Sequence, residues 1–221
     1  MDFSPLWISL KTTTVATFIA FILGIYGARL VLKCGHKWQG IIDVIFTLPM
    51  VLPPTVVGFI LLVIFGKRGI IGSALLKVGI QIIFSWEATV IAATVVAFPL
   101  IYRTTIGALE QIDPNVLNAA RTLGMNERTI FFKIALPMAW PGIVAGLVLG
   151  FARALGEFGA TLMLAGSIPG RTLTMPLAIY FAVQSGDMTS AKMWVACILV
   201  ISFVSMFAMN YMNKWTYKGG K

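Results

Sequence analysis

With 221 residues, 58% of them hydrophobic and only 11% charged, a formal net charge of +9 and a mean hydropathy of +0.90, the chain lies far from the composition of a water-soluble domain. The basic excess is scattered among apolar stretches and forms no run or aromatic-interleaved patch, which argues against a nucleic-acid partner. Cys34 and Cys197 stand in different segments without Cys or His at ligand spacing, so neither a disulfide framework nor a metal site is expected, and His36 reads as an isolated loop residue.

The N-terminus, MDFSPLW, lacks the basic flank of a secretory signal, and the apolar stretch after it reaches Arg29 without a small-residue cleavage site. It is expected to stay as a membrane helix. A hydrocarbon core about 30 Å thick needs about 20 apolar residues per helix. Residues 12–32, 41–65, 88–108 and 191–212 meet that test, and 142–165 meets it while carrying Arg153 and Glu157. Pro49, Pro53 and Pro54 break the second span and Pro99 interrupts the third, either as simple kinks or as shapers of a cavity and its gate. The segment TLTMPLAIYFAVQ (172–184) is apolar but too short to cross, which fits a re-entrant helix. The expected fold is an all-α integral membrane protein of about five transmembrane helices, with a short re-entrant helix and a polar loop.

Lys and Arg are unevenly shared between the two sides. Ten fall on the side of the 29–40, 103–137 and C-terminal segments and six on the other, which places the N-terminus outside and the C-terminus in the cytoplasm. Trp7, Trp38, Trp86, Trp140, Trp194 and Trp215 sit near the expected span ends, where tryptophan anchors at the interface.

The polar interruption is NAARTLGMNERTIFFKIALP (118–137). Just before it, Asp113 is placed to cap a helix and Pro114 to open it. Val116, Ala119, Ala120 and Leu123 recur on one small apolar face, and Gly124 suits a left-handed helix end. A second short helix is expected over 127–136, with Ile130, Phe131 and Ile134 on one side. The stretch is either an amphipathic loop resting on the membrane or a docking element whose small side chains admit a partner closely.

Arg153 and Glu157 are the costly residues of the fifth span, since a charge at mid-helix costs about 2.5–3.5 kcal/mol even on a permissive insertion scale. Four apart on one helix, they can pair and lock the bundle, or Arg153 can also line an anion route. Gly142, Gly146, Gly150 and Ala154 add a stripe of small residues suited to close helix contact. No GxxxxGK[ST], HExxH or GxSxG occurs, so ATP hydrolysis and hydrolase chemistry are not expected of this chain, which is read as a non-enzyme.

In the 118–137 stretch the chain resembles the permease subunits of bacterial ABC importers. Their loop signature is Glu-Ala-Ala, three residues, Gly, nine residues, Ile, one residue, Leu-Pro. Ala119, Ala120, Gly124, Ile134, Leu136 and Pro137 stand at the matching places, and Asn118 replaces the usual Glu. The stretches 48–59, 65–72 and above all RALGEFGATLMLAGSIPGRTLTMPLAIY (153–180) narrow the resemblance to molybdate permeases. Residues 1–221 would then form a single ABC-importer transmembrane domain with a cytoplasmic coupling loop at 109–137.

The resemblance implies that Asn118, Ala119, Ala120, Arg121, Leu123, Gly124 and Met125 touch an ATP-binding subunit. Pro53, Pro54, Arg171, Thr172 and Thr174 are candidate pathway or gate residues. No catalytic or metal residue is expected. Nor is a cofactor expected in this chain, since ATP and Mg would be bound by the partner subunit. The implied partners are a second copy of the chain, two ATP-binding cassette subunits, an extracytoplasmic molybdate-binding protein and the lipid of the bacterial plasma (inner) membrane. The alternatives are a sulfate or tungstate permease of the same class and a nucleotide-independent anion channel. An oxyanion needs such a route, because an unpaired charge in hydrocarbon costs tens of kcal/mol in the Born limit. Import against an inside-negative potential adds about 2.3 kcal/mol per charge per 100 mV.

Overall fold

The computed structural model describes residues 2–218, with side chains for all of them except His36 and residues 208–218. Lys214, Lys218, Lys221 and Trp215 of the basic, aromatic tail thus lie outside the described side chains.

Only a backbone that satisfies its own hydrogen bonds can cross lipid, and the chain is mostly helical, with no strand among the described residues. The helices are α1 (Ser4–Lys33), α2 (His36–Val51), α3 (Pro54–Phe65), α4 (Ile70–Leu76), α5 (Trp86–Glu110) and α6 (Pro114–Thr122). They continue with α7 (Glu127–Ile130), α8 (Leu136–Leu155), α9 (Gly159–Ala165), α10 (Met175–Gln184) and α11 (Met188–Lys218). Among the described residues, Ser4–Lys33, Trp86–Glu110, Glu127–Leu155 and Met188–Phe207 are long and apolar enough to cross a membrane. A fifth crossing exists only if α2 and α3, bent by 113°, count as one.

Three boundaries differ from the sequence expectation. The span expected over 41–65 is broken, because Leu52 and Pro53 each precede a proline and are pushed out of the helical region; Leu52 sits at φ −72°, ψ 143°. The span expected over 142–165 starts earlier and ends at Leu155. Its short forerunner at 127–136 is not separate, since a π-helical turn over Phe131–Ala135 joins α7 to α8. Pro137 has no N–H for the carbonyl four residues back and its ring crowds that oxygen, and the wider turn accommodates both defects. Pro99 does not interrupt the third span: α5 runs straight through it, with Pro99 buried among its neighbours. His36 opens α2 instead of lying in a loop.

Helix α5 is the axis of the bundle, with α1 on one side and α8 on the other. Lipid is as apolar as leucine, so helices gain little by the hydrophobic effect when they touch, and contact depends on how closely their backbones approach. Here the small residues decide. A Cβ at Gly24 of α1 would lie 2.9 Å from Ile101 Cγ2, and one at Gly142 or Gly150 of α8 would lie 2.6 Å from Ala108 Cβ or Ile101 Cδ1. The expected glycine stripe of α8 therefore faces α5. Hydroxyls secure the other side: Thr12 and Thr89 share a 2.9 Å hydrogen bond, and Trp86 Nε1 donates to Thr12 Oγ1 at 2.9 Å.

Around this axis lie a cluster of Ala28, Val31, Tyr102, Ile106 and Ile143, a second of Val57, Leu61, Ala92, Ala160 and Leu164, and a third of Leu155, Met175 and Trp194. Trp194, expected as an interfacial anchor, is instead 5% exposed and packs edge-on against Phe3. Trp7 and Trp38 are 70% and 66% exposed, as interfacial anchors need to be.

Gly146→Val is expected to lower stability by about 1–3 kcal/mol through overpacking, since its first added carbon would already meet Thr104 Cβ at 2.9 Å. Gly107→Ala on α5, where nothing lies within 4 Å, should be neutral. Thermal unfolding of the two detergent-solubilised variants separates the cases.

Candidate functional site

The polar loop is shaped by caps at both ends of its first helix and at the start of its second. Asp113 Oδ1 accepts from Asn115 N–H at 2.9 Å and starts α6 beside Pro114. At the other end Gly124 has φ +76°, its N–H bonds to Arg121 O at 2.9 Å, and Met125 N–H bonds to Ala120 O at 3.2 Å. This paired closure needs a left-handed residue, and glycine adopts it without strain. Asn126 Oδ1 then caps α7 by accepting from Thr129 N–H at 2.8 Å.

Arg121 ties the two short helices together. Its Nε lies 2.6 Å and its Nη2 3.3 Å from the carboxylate of Glu127, while Nη1 donates to Asn118 Oδ1 at 2.7 Å. The hydrogen bond to Glu127, and then its charge, raise the Arg121 pKa further, so the clasp is ionised at every physiological pH. Asn118 thus steadies the arginine from within α6. The expected apolar face divides: Ala120 is 4% exposed, whereas Val116 and Leu123 are 38% and 82% exposed. Leu123, Gly124 and Ala119 are offered outward and do not pack on the bundle.

The second element is the buried ion pair. Arg153 Nη1 lies 2.8 Å from Glu157 Oε2, without the alignment of a hydrogen bond, and the side chains are 33% and 2% exposed. The pair does not lie along one helix, because α8 ends at Leu155. Glu157 sits in the break and its Oε1 accepts from Ala160 N–H at 2.7 Å, so one carboxylate caps α9 and holds the end of α8.

The two breaks meet. A Cβ at Gly159 would lie 3.0 Å from Pro54 Cβ, and one at Gly58 would lie 2.7 Å from Ala160 Cα, so α3 and α9 pack backbone to backbone. The candidate gate residues Pro53 and Pro54 are thereby brought against the Glu157 break. The candidates at 171–174 are not part of this junction. Thr172 is fully buried and its Oγ1 accepts from Ile168 N–H at 2.9 Å, stapling its own turn. Thr174 is 5% exposed and precedes α10, and Arg171 is exposed.

One constellation went unnoticed in the sequence. Asp43 of α2 accepts from Tyr102 Oη at 2.9 Å and pairs with Arg103 Nη2 at 2.9 Å, fastening the first arm of the broken span to α5. Its signal was legible, since Asp43 is an acid inside the apolar 41–65 stretch and demands a partner as Glu157 does.

A bundle of long spans with two helix breaks packed together and a preformed polar loop outside is the architecture of a helical membrane transport subunit. The chain belongs to the family described as binding-protein-dependent transport system inner membrane component, which matches residues 20–217. It is 46% identical over 206 residues to the putative molybdenum transport system permease protein YvgM of Bacillus subtilis (strain 168), covering 93% of this chain and 91% of that one. Identity to the molybdenum transport system permease protein ModB of Escherichia coli (strain K12) is 40% over 216 residues, covering 96% and 94%. The fold is shared with a solved inward-facing structure of the MetNI methionine ABC transporter, at 20% identity, a TM-score of 0.73, and coverage of 95% and 93%.

Glu157→Ala removes both the cap of α9 and the partner of Arg153, and a loss of about 1–3 kcal/mol is expected once the partial exposure of Arg153 is discounted. Glu157→Gln keeps an acceptor for Ala160 N–H and should lose less. Thermal unfolding midpoints of the purified variants rank them.

Proposed function

We propose that this chain is the transmembrane permease subunit of an ATP-driven molybdate importer that works by alternating access. The observation that carries this reading is near-full-length similarity to permeases named for molybdenum transport, in a chain whose polar loop closes on its own caps and leaves Leu123 exposed. Two copies enclose a central pathway. Two ATP-binding subunits, which hold ATP and Mg, receive the loops through Ala119, Leu123, Gly124 and their neighbours. An extracytoplasmic binding protein delivers the oxyanion and supplies most of the selectivity. The N-terminus faces outward and the C-terminus the cytoplasm of the bacterial inner membrane, so the loop lies inside.

ATP binding draws the motor subunits together and the loops with them. The rigid clasp of Arg121, Asn118 and Glu127 passes that motion to α8 without deforming, and α8 passes it to the junction of the two breaks. Hydrolysis resets the pathway to the inside. The buried carboxylate at the junction is compensated by Arg153, so no bare negative charge there opposes an anion.

In proteoliposomes holding this chain with its motor and binding protein, ATP-dependent uptake of molybdate is expected in preference to sulfate and phosphate, with tungstate offered alongside. Preferred uptake of another oxyanion would change the substrate, and flux without nucleotide would remove the coupling. Gly124→Trp should reduce uptake to background while leaving insertion intact, because the strain of a left-handed non-glycine residue, about 1–2 kcal/mol, does not unfold a bundle. Normal uptake by that variant would sink the docking assignment. Orientation has its own check: in a Cys197→Ser background, Cys34 should react with a membrane-impermeant maleimide in inside-out vesicles and be protected in right-side-out ones.

A further inference from the structure

Three span ends converge at one end of the bundle, around a cavity of about 260 Å³. Its charged lining is Arg29 and Lys33 from the last turns of α1, Arg121 of α6, and Glu127 of α7. Glu127 is already engaged by Arg121, and neither Arg29 nor Lys33 has a carboxylate within ion-pair distance among the described residues. The cavity therefore holds a net positive charge.

Arg29 is held ready. Its guanidinium carbon stacks 4.6 Å from the ring of Phe131 and 5.0 Å from that of Phe132, on the π-helical turn. Its Nε is buried and has no acceptor among the described residues. An unpaired buried donor on a cation is costly unless an anion or solvent completes it. The apolar part of the wall includes Leu32 and Leu117. From Arg29 the same face of α1 continues seven and eleven residues back to Ile22 and Phe18, which are 38% and 63% exposed.

We propose that this cavity binds the phosphate of an anionic phospholipid, with the headgroup on Arg29 and Lys33 and an acyl chain along Ile22 and Phe18. Basic pockets between membrane helices are suited to such headgroups. A free phosphate would satisfy the guanidinium equally well but would leave the apolar track without an occupant, and the track is what selects the lipid. Because Arg121 lines the same cavity, a phosphate oxygen competes with Glu127 for it, and lipid composition then tunes the stiffness of the loop. The site stands independently of which solute the protein carries.

The test is native mass spectrometry of the full-length chain, released from detergent with phosphatidylglycerol or with phosphatidylcholine of the same acyl chains. One phosphatidylglycerol per chain should be retained in preference to phosphatidylcholine by about tenfold or more, given the strength of Lys and Arg at an anionic surface. The double variant Arg29→Gln, Lys33→Gln should lose the preference, and Arg29→Lys, Lys33→Arg should keep it. A control that removes two charges elsewhere, Lys77→Gln with Lys192→Gln, should also keep it, and circular dichroism of each variant verifies folding. The proposal is overturned if the glutamine variant retains phosphatidylglycerol as the parent does, or if the control loses it equally. It is also overturned if millimolar inorganic phosphate binds and displaces the lipid completely.

Discussion

Helix α5 lies against α1 on one flank and α8 on the other only because glycines stand at the crossings: Gly24 opposite Ile101, and Gly142, Gly146 and Gly150 opposite Ala108, Thr104 and Ile101. In water, larger side chains at those places could be offset by burying more surface. In lipid no such return exists, and attraction falls off within a fraction of an ångström of lost contact. The hydroxyl bonds between Thr12, Thr89 and Trp86 have the geometry they do because the backbones are already this close. Both helix breaks, the ion pair and the loop are positioned relative to this axis.

The breaks would be liabilities if each stood alone, because a helix end in hydrocarbon leaves backbone groups without partners. Packing them on each other changes the balance. Glu157 supplies an acceptor for the start of α9, Arg153 compensates its charge, and Gly58 and Gly159 let the two backbones touch. Such a junction combines tight packing with few backbone hydrogen bonds crossing it.

Much of this was legible from residue types. Spans, the loop helix, its Asp113 cap and its Gly124 stop follow from local rules acting over a few residues, and local rules transfer from sequence to structure. The glycine stripe was legible for the same reason, since period and side-chain size are both written in the chain. What could not be read was the outcome of competition between local defects and tertiary support. Pro53 breaks a span where Pro99 does not, because two successive residues before prolines bend the chain at one site while packing on both sides carries α5 through the other. The π-helical turn is likewise a compromise between Pro137 and the continuity of α8. Asp43 was missed for a different reason: its partners Tyr102 and Arg103 are 59 and 60 positions away, and only the fold brings them within reach.

The π-helical turn makes the segment from Glu127 to Leu155 one unbroken rod of 29 residues. At 1.5 Å per residue that is a lever of about 43 Å, with a charged clasp at one end and the Arg153–Glu157 pair at the other. A tilt of a few degrees at the clasp displaces the far end by a few ångströms, which exceeds the tolerance of the glycine contacts on which α8 rolls. In the proposed transport cycle, a small motion at the clasp would thus become a discrete change of seating along α8, a ratchet more than a spring. The extra residue in the wide turn is where the lever's stiffness is set.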